Sequence, residues 1–187
     1  LPATMMLTLS SILLTIVLAI PLGILSAVKH NKWVDYLIRF LSFIGNSMPN
    51  FFAAMVLMYF LSIRLGVLPV VTNTDLGQSI ILPTLTLAIS MAAKYTRQVR
   101  NAVLEELRQD YVIGARMRGI KESAILWKHV LPNAMLPIVT LLCLSLGSLL
   151  GGTAVVEIIY NWRGMGSMAI KAISCRDYPM VQTYVLL

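Results

Sequence analysis

Long uncharged apolar runs alternate with short polar segments along this chain. Runs 3–28 and 40–63 carry no charge, run 76–93 contains Pro83, and run 130–156 contains Pro132 and Pro137. A further apolar run begins near Met180. A helix needs about 20 apolar residues to cross the hydrocarbon core of a bilayer. The first, second and fourth runs meet that length, and the third does so if Lys94 snorkels to the interface. The pattern therefore predicts an all-α polytopic membrane protein with four complete spans and the start of a fifth. No strand alternation or solenoid repeat interrupts it. Prolines at 21, 83 and 137 are expected to kink their helices, which membranes tolerate where neighbouring helices satisfy the freed carbonyls.

Composition agrees with the pattern. Only 12% of the 187 residues are charged and 58% are hydrophobic, against about 25% charged in a soluble domain. The mean hydropathy is +0.80. The chain begins at Leu1 without a Met and ends inside an apolar run, so it reads as a fragment. The first run is too long for a signal peptide and lacks a basic leader. The net charge of +7 is unevenly spread: segments 29–39 and 94–128 hold 11 of the 15 Lys and Arg, and segments 64–75 and 157–177 hold the other 4. The positive-inside rule places the first pair in the cytoplasm. Trp33, Tyr36, Tyr95 and Trp127 then mark the inner interface, and Tyr59, Tyr160 and Trp162 the outer one. Cys143 and Cys175 occupy an apolar span and a polar loop, and read as two unpaired thiols.

Segment 94–128 is the most unusual part of the chain. It lacks proline, and from Arg97 to Leu107 it is rich in good helix formers. The third span is expected to continue as a helix into the cytoplasm. Asp110 is a candidate N-cap for a short helix over 111–117, with Gly119 as its stop, and another helix is expected to begin near Glu122. Ala115 and Gly119 lie four apart and so share a small-residue face, flanked by Arg116, Arg118 and Lys121. Such a helix can dock in a groove of a soluble partner. A solvated basic connector touching only lipid headgroups is the alternative.

The spacing from Ala115 to Gly119, His129 and Leu131-Pro132 resembles the EAA loop of permease subunits from bacterial ABC importers, the binding-protein-dependent transport family. Ala115, Gly119, Leu131 and Pro132 match that loop, while positions 113, 114 and 129 are substituted. The stretches SMPNFF, ILPTLTLAI, DYVIGARMRG, KHVLPNAMLPIVT, LLGGTAVVE and RDYPMVQ are similar to the peptide/nickel branch of that family. One departure is Trp162-Arg163-Gly164, where the branch usually has Trp-Pro-Gly, and it removes a proline's rigidity from that outer turn. The resemblance implies a type I ABC importer transmembrane domain in the bacterial inner membrane. It implies two ATPase subunits, a second homologous permease and an extracytoplasmic binding protein as partners. Asp110, Ala115, Arg116, Arg118 and Gly119 would then form the coupling helix, and Gly119→Arg is expected to abolish ATPase binding.

Other motifs carry less. Gly164-Met-Gly166-Ser-Met-Ala169 imitates a dinucleotide fingerprint but follows no strand. No GxxxxGK[ST] occurs, so ATP hydrolysis is assigned to a separate chain, and no cofactor, nucleic acid or catalytic residue is implied. Gly147 and Gly151 form a GxxxG that fits helix packing in lipid. Ser145, Ser148 and Thr153 near it, and Asn46, Ser47 and Asn50 around Pro49, are candidates for the translocation path. Glu157 and Asp177 either close that path, meet a binding protein or are simply solvated. His30 and His129 lack convergent partners for a metal, and the 11 Met residues read as packing. The rival reading is a secondary transporter or channel without an ATPase, which would require membrane-embedded charges that the apolar runs lack. The expected domain is 1–187 as a single permease domain, with 94–128 as its coupling loop. The expected cargo is a dipeptide, oligopeptide, nickel or a metal chelate.

Overall fold

The computed structural model describes residues 2–68 and 80–186, with 150–152 as backbone only. Its regular elements are helical throughout the described residues. They are α1 (Pro2–Val28), α2 (Trp33–Ser47), α3 (Asn50–Leu57) with a π-helical continuation (Met58–Arg64), α4 (Ile81–Glu106) and α5 (Asp110–Met117). Next come α6 (Glu122–Ile125), a π turn (Leu126–Val130), α7 (Leu131–Gly152), α8 (Ala154–Ile159), α9 (Met165–Ser174) and α10 (Tyr178–Leu186). Pro2–Val28 and the continuous run Glu122–Leu149 are each long and apolar enough to cross a membrane. The second expected span is not one helix. It breaks at Met48-Pro49, because Pro49 offers no N–H to a preceding turn. Counted as one broken span, α2 with α3 and its continuation would make a third crossing. The start of the expected third span, 76–79, and most of the 64–75 loop lie outside the described residues.

Prolines 21 and 137 sit inside α1 and α7, which run on through them. Pro83 instead falls in the first turn of the described α4, where a missing N–H leaves no helical bond unmade. Pro132 is preceded by the π turn over Leu126–Val130, and its ring would crowd the carbonyl of Lys128 in a regular helix.

The described chain divides into two units. The first takes Leu1–Leu14, Met48–Ser90 and Ser145–Leu187. Here Thr4, Thr8 and Ser11 line the buried face of α1, while Met5, Met6, Leu9 and Leu13 on the other side are exposed. That inversion of the soluble pattern suits a lipid surround, where large apolar groups face outward without cost. Glu157 of α8 is completely buried. Its Oε1 accepts from the Thr4 hydroxyl at 3.1 Å and the Thr153 hydroxyl at 3.0 Å, and its Oε2 from the Ser167 backbone N–H at 2.8 Å. Ser167 is in the first turn of α9, so the carboxylate also caps that helix's unpaired donors. Thr4 in turn accepts from the Met165 N–H at 2.8 Å.

The turn between α8 and α9 is therefore held without the proline that the resembled branch carries. Asn161 takes a left-handed conformation (φ 50°), and the Trp162 N–H returns to the Glu157 carbonyl at 2.7 Å. The Trp162 indole donates to the Ala3 carbonyl at 3.1 Å. A Cβ on Gly164 would strike the Glu157 carboxylate, and one on Gly166 would lie 2.5 Å from the Ala154 Cα. The glycines of the false dinucleotide fingerprint are thus explained by close packing. Glu157, expected at a solvated outer boundary or in the path, is instead the hub of this unit.

The second unit takes Thr15–Ser47 and Met91–Leu144. Its apolar core joins Val99 and Val103 of α4, Val112 and Ala115 of α5, Ile125 of α6 and Ala134 and Ile138 of α7. A Cβ on Gly23 would lie 2.5 Å from the Val99 Cβ, so α1 and α4 meet almost backbone to backbone. Asp35, fully buried at the start of α2, receives Arg100 Nε at 2.7 Å and Arg100 Nη2 at 2.8 Å. Ser26 donates to the same carboxylate at 2.6 Å and the Asn31 N–H at 3.1 Å. His30 Nδ1 lies 3.0 Å from Arg100 Nη2.

The aromatic residues divide differently from the expectation. Trp33, Tyr36, Tyr59 and Trp127 are exposed, as interface anchors should be. Tyr95, Tyr160 and Trp162 are buried, because each directs its polar tip to a backbone carbonyl: Leu141, Ala54 and Ala3 respectively.

Two outcomes follow for the purified, complete protein. Gly164→Ala should destabilise it by about 1–3 kcal/mol, as overpacking does, read as a lower thermal unfolding midpoint. Arg100→Ala should cost about 3 kcal/mol or more by stranding buried Asp35, while Arg100→Lys should recover only part, since an ammonium cannot make the bidentate pair.

Candidate functional site: the short helix α5

The segment after Ala93 is built as an extension of α4 that outruns the apolar run by thirteen residues, to Glu106. Val99 and Val103 recur on one face and are fully buried, so the extension is packed and not free. The chain turns at Leu107–Gln109. The Gln109 carbonyl accepts from the Val112 and Ile113 N–H groups at 3.0 and 3.3 Å and opens α5. Gln109 is the N-cap, with extended backbone and no side-chain cap bond. Asp110, expected in that role, is the first helical residue. Its carboxylate faces the positive end of the helix dipole without closing a cap.

The other end of α5 is as expected. Gly119 has φ 72°, and its N–H returns to the Arg116 carbonyl at 2.9 Å while the Ile120 N–H returns to Ala115 at 3.2 Å. This is the paired-bond stop that needs a left-handed residue. A Cβ at Gly119 would meet nothing within 4 Å, so glycine is required by conformation alone.

The face of α5 is reversed relative to expectation. Ala115, taken as the centre of a docking strip, is 2% exposed and packs with Val112 into the core of its own unit. Its small side chain lets α5 lie close on that core. The outward face carries Ile113 and Met117, four apart, with Met117 85% exposed. Asp110, Gly119 and the basic residues Arg116 and Arg118 are also exposed. Arg116 is engaged by Glu122 through bonds of 2.7 and 3.2 Å, and Arg118 Nε reaches the Gly114 carbonyl at 3.3 Å. Tyr111 donates to Glu106 at 2.6 Å and receives Asn133 Nδ2 at 3.4 Å, tying α5 to both α4 and α7. Partial burial, and then the Glu106 carboxylate, raise the Tyr111 phenol above its ordinary pKa, so it remains the donor.

The path candidates fall in both units. Asn46 and Ser47 end α2 in one unit; Asn50, Ser145, Ser148 and Thr153 belong to the other. Asn46, Ser47 and Asn50 are exposed. Ser148 donates to the Ser145 carbonyl of its own helix. Thr153 is fully buried and donates its hydroxyl to Glu157 at 3.0 Å, a bond within the start of α8. Among the described residues no group of three or more His, Cys, Asp or Glu is placed to hold a metal.

Sequence reasoning missed Ile113 and Met117. Their i, i+4 apolar spacing on a basic helix is legible in the sequence, where positions 113 and 114 otherwise stand out only as departures from the EAA pattern. It also missed the Thr4, Thr8, Ser11, Thr15 series, whose helical spacing was legible in a run noted only for lacking charge.

Some known proteins are similar to this chain in sequence and others in fold. The glutathione transport system permease protein GsiC of Salmonella paratyphi A is 40% identical over 184 residues, covering 98% of this chain and 60% of the relative. The GsiC protein of Escherichia coli K12 is 39% identical over the same length. The chain thus spans about 60% of the length of these curated relatives. An inward-facing MetNI methionine ABC transporter superposes with a TM-score of 0.74 at 22% identity, over 98% of this chain and 83% of that one. An amino acid ABC transporter crystallised with histidines gives 0.75 at 16% identity, over 100% and 82%. At such identities the likeness establishes the type I ABC importer transmembrane fold alone. Residues 19–187 match the family described as binding-protein-dependent transport system inner membrane component. With this match and these relatives, the chain belongs to that family.

Proposed function

We propose that this chain is the solute-conducting part of a permease subunit in an ATP-driven importer of the bacterial inner membrane. Residues 1–187 serve as one permease domain, with 94–128 as its cytoplasmic coupling loop. ATP hydrolysis resides in two separate ATPase subunits, and a second homologous permease and an extracytoplasmic binding protein complete the assembly. The named relatives favour glutathione or another small peptide as cargo over nickel or a nickel chelate.

The observation that carries this reading is the two-faced build of α5. One face is fused to the core through Val112 and Ala115, and the opposite face offers Ile113 and Met117. Because the same core contains Val99, Val103, Ala134 and Ile138, a displacement of α5 is passed to α4 and α7 by close packing. Closure of the ATPase pair would thereby tilt these helices and alternate access. The docking residues are accordingly Ile113 and Met117, with Asp110, Arg116, Arg118 and Gly119 around them. Ala115 acts from beneath as a spacer.

The experiment is co-purification of the ATPase with the full-length permease, alongside uptake of labelled glutathione. Ile113→Ser combined with Met117→Ser should weaken ATPase retention on the order of tenfold, as loss of two interface anchors does. The stability of the permease should change by no more than about 0.5 kcal/mol, as for surface changes. Undiminished retention in the double variant would remove this assignment.

A further inference from the structure

A cavity of about 430 Å³ opens beside α2 and α4 within the second unit. Its lining includes Arg39, Arg97 and Arg100 together with Tyr36, Phe40 and Phe43. The charge there is uncompensated. Arg100 is neutralised by Asp35, but among the described residues no ion pair involves Arg39 or Arg97. The Arg39 guanidinium lies 5.8 Å from the centroid of the Tyr36 ring, a cation–π contact that keeps it at the cavity. Two guanidinium groups so placed offer forked donors matched to a phosphate.

The second feature is apolar. Tyr36, Phe40 and Phe43 follow one another at helical spacing along α2, and each is more than half exposed. A free phosphate has no use for such a strip beside its anion site, and a single nucleobase would stack on one ring and leave the rest of the strip uncovered. An amphiphile does: its charged head is held by the arginines while its chains lie along the rings. Trp33, 75% exposed one turn before Tyr36, continues the strip in the manner of an interfacial anchor.

We propose that this cavity is a binding site for the phosphate headgroup of an anionic phospholipid, with Arg39 and Arg97 as its ligands and the Tyr36, Phe40, Phe43 strip as the seat of the acyl chains. The bridge from Asp35 to Arg100 sets the wall of the site by fixing α2 against α4. Occupancy would brace the α2–α4 junction by a contact independent of α5. The site does not depend on the identity of the cargo.

The test uses the complete importer, purified and exchanged into vesicles of phosphatidylcholine with or without phosphatidylglycerol. Tightly retained lipid is then counted by native mass spectrometry. Wild-type protein should retain phosphatidylglycerol in preference to phosphatidylcholine, and Arg39→Gln with Arg97→Gln should reduce that retention roughly thirtyfold, as loss of two cationic contacts implies. Millimolar inorganic phosphate should not displace the lipid. Equal retention by the double variant, or displacement by phosphate alone, overturns the proposal, the latter by revealing a site for free anions. Should the double variant fail to fold, a photoactivatable phosphatidylglycerol on the wild type decides. Cross-links within residues 36–43 or 96–101 support the site, and cross-links confined elsewhere refute it.

Discussion

Hydrocarbon offers no hydrogen-bond partner, and the interior of this protein is arranged around that deficiency. A polar group withdrawn from water is costly unless it finds a partner inside the chain, and among the described residues only the side-chain hydroxyls of Thr8, Ser62 and Ser90 are buried without one. Glu157 collects donors from Thr4, Thr153 and Ser167, and Asp35 collects them from Arg100, Ser26 and Asn31. Each unit thus contains a fully buried carboxylate that takes donors from more than one helix. The glycines follow from the same arrangement. Gly164 is bare because the Glu157 carboxylate occupies the space where a side chain would go.

The outward surface is the complement. Leu9, Leu13 and Val17 of α1 and Leu136, Val139 and Leu144 of α7 are exposed. In water such a surface would demand a partner; in lipid it is at rest. The short helix α5 departs from this scheme. It lies beyond the apolar runs, buries valine and alanine inward as a soluble helix does, and yet exposes Ile113 and Met117. An exposed methionine on a basic helix has no gain from water, and it adapts readily to a facing protein surface.

Rigidity and purchase are thereby combined in a few residues. Val112 and Ala115 join α5 to α4 and α7, Tyr111 ties it again through Glu106 and Asn133, and the Gly119 stop ends the helix with both returning bonds made. The exposed Arg116–Glu122 pair adds little, because water competes for both charges. A displacement of α5 is therefore passed to the packed residues of α4 and α7 with little slack.

The linear pattern alone settled the helical membrane class, the extension of α4 past Lys94, the α5 stop at Gly119 and the restart at Glu122. These depend on local periodicity, on glycine's access to positive φ and on the cost of charge in lipid, all of which act over a few residues. Only tertiary structure decided that Ala115 faces inward and Met117 outward, that Tyr95, Tyr160 and Trp162 are packed, that Pro49 divides the second span, and that Glu157 is a buried hub. Those outcomes turn on which surface meets which, and Thr4 and Glu157 are 153 positions apart. No local rule of propensity or spacing can register a partner at that distance.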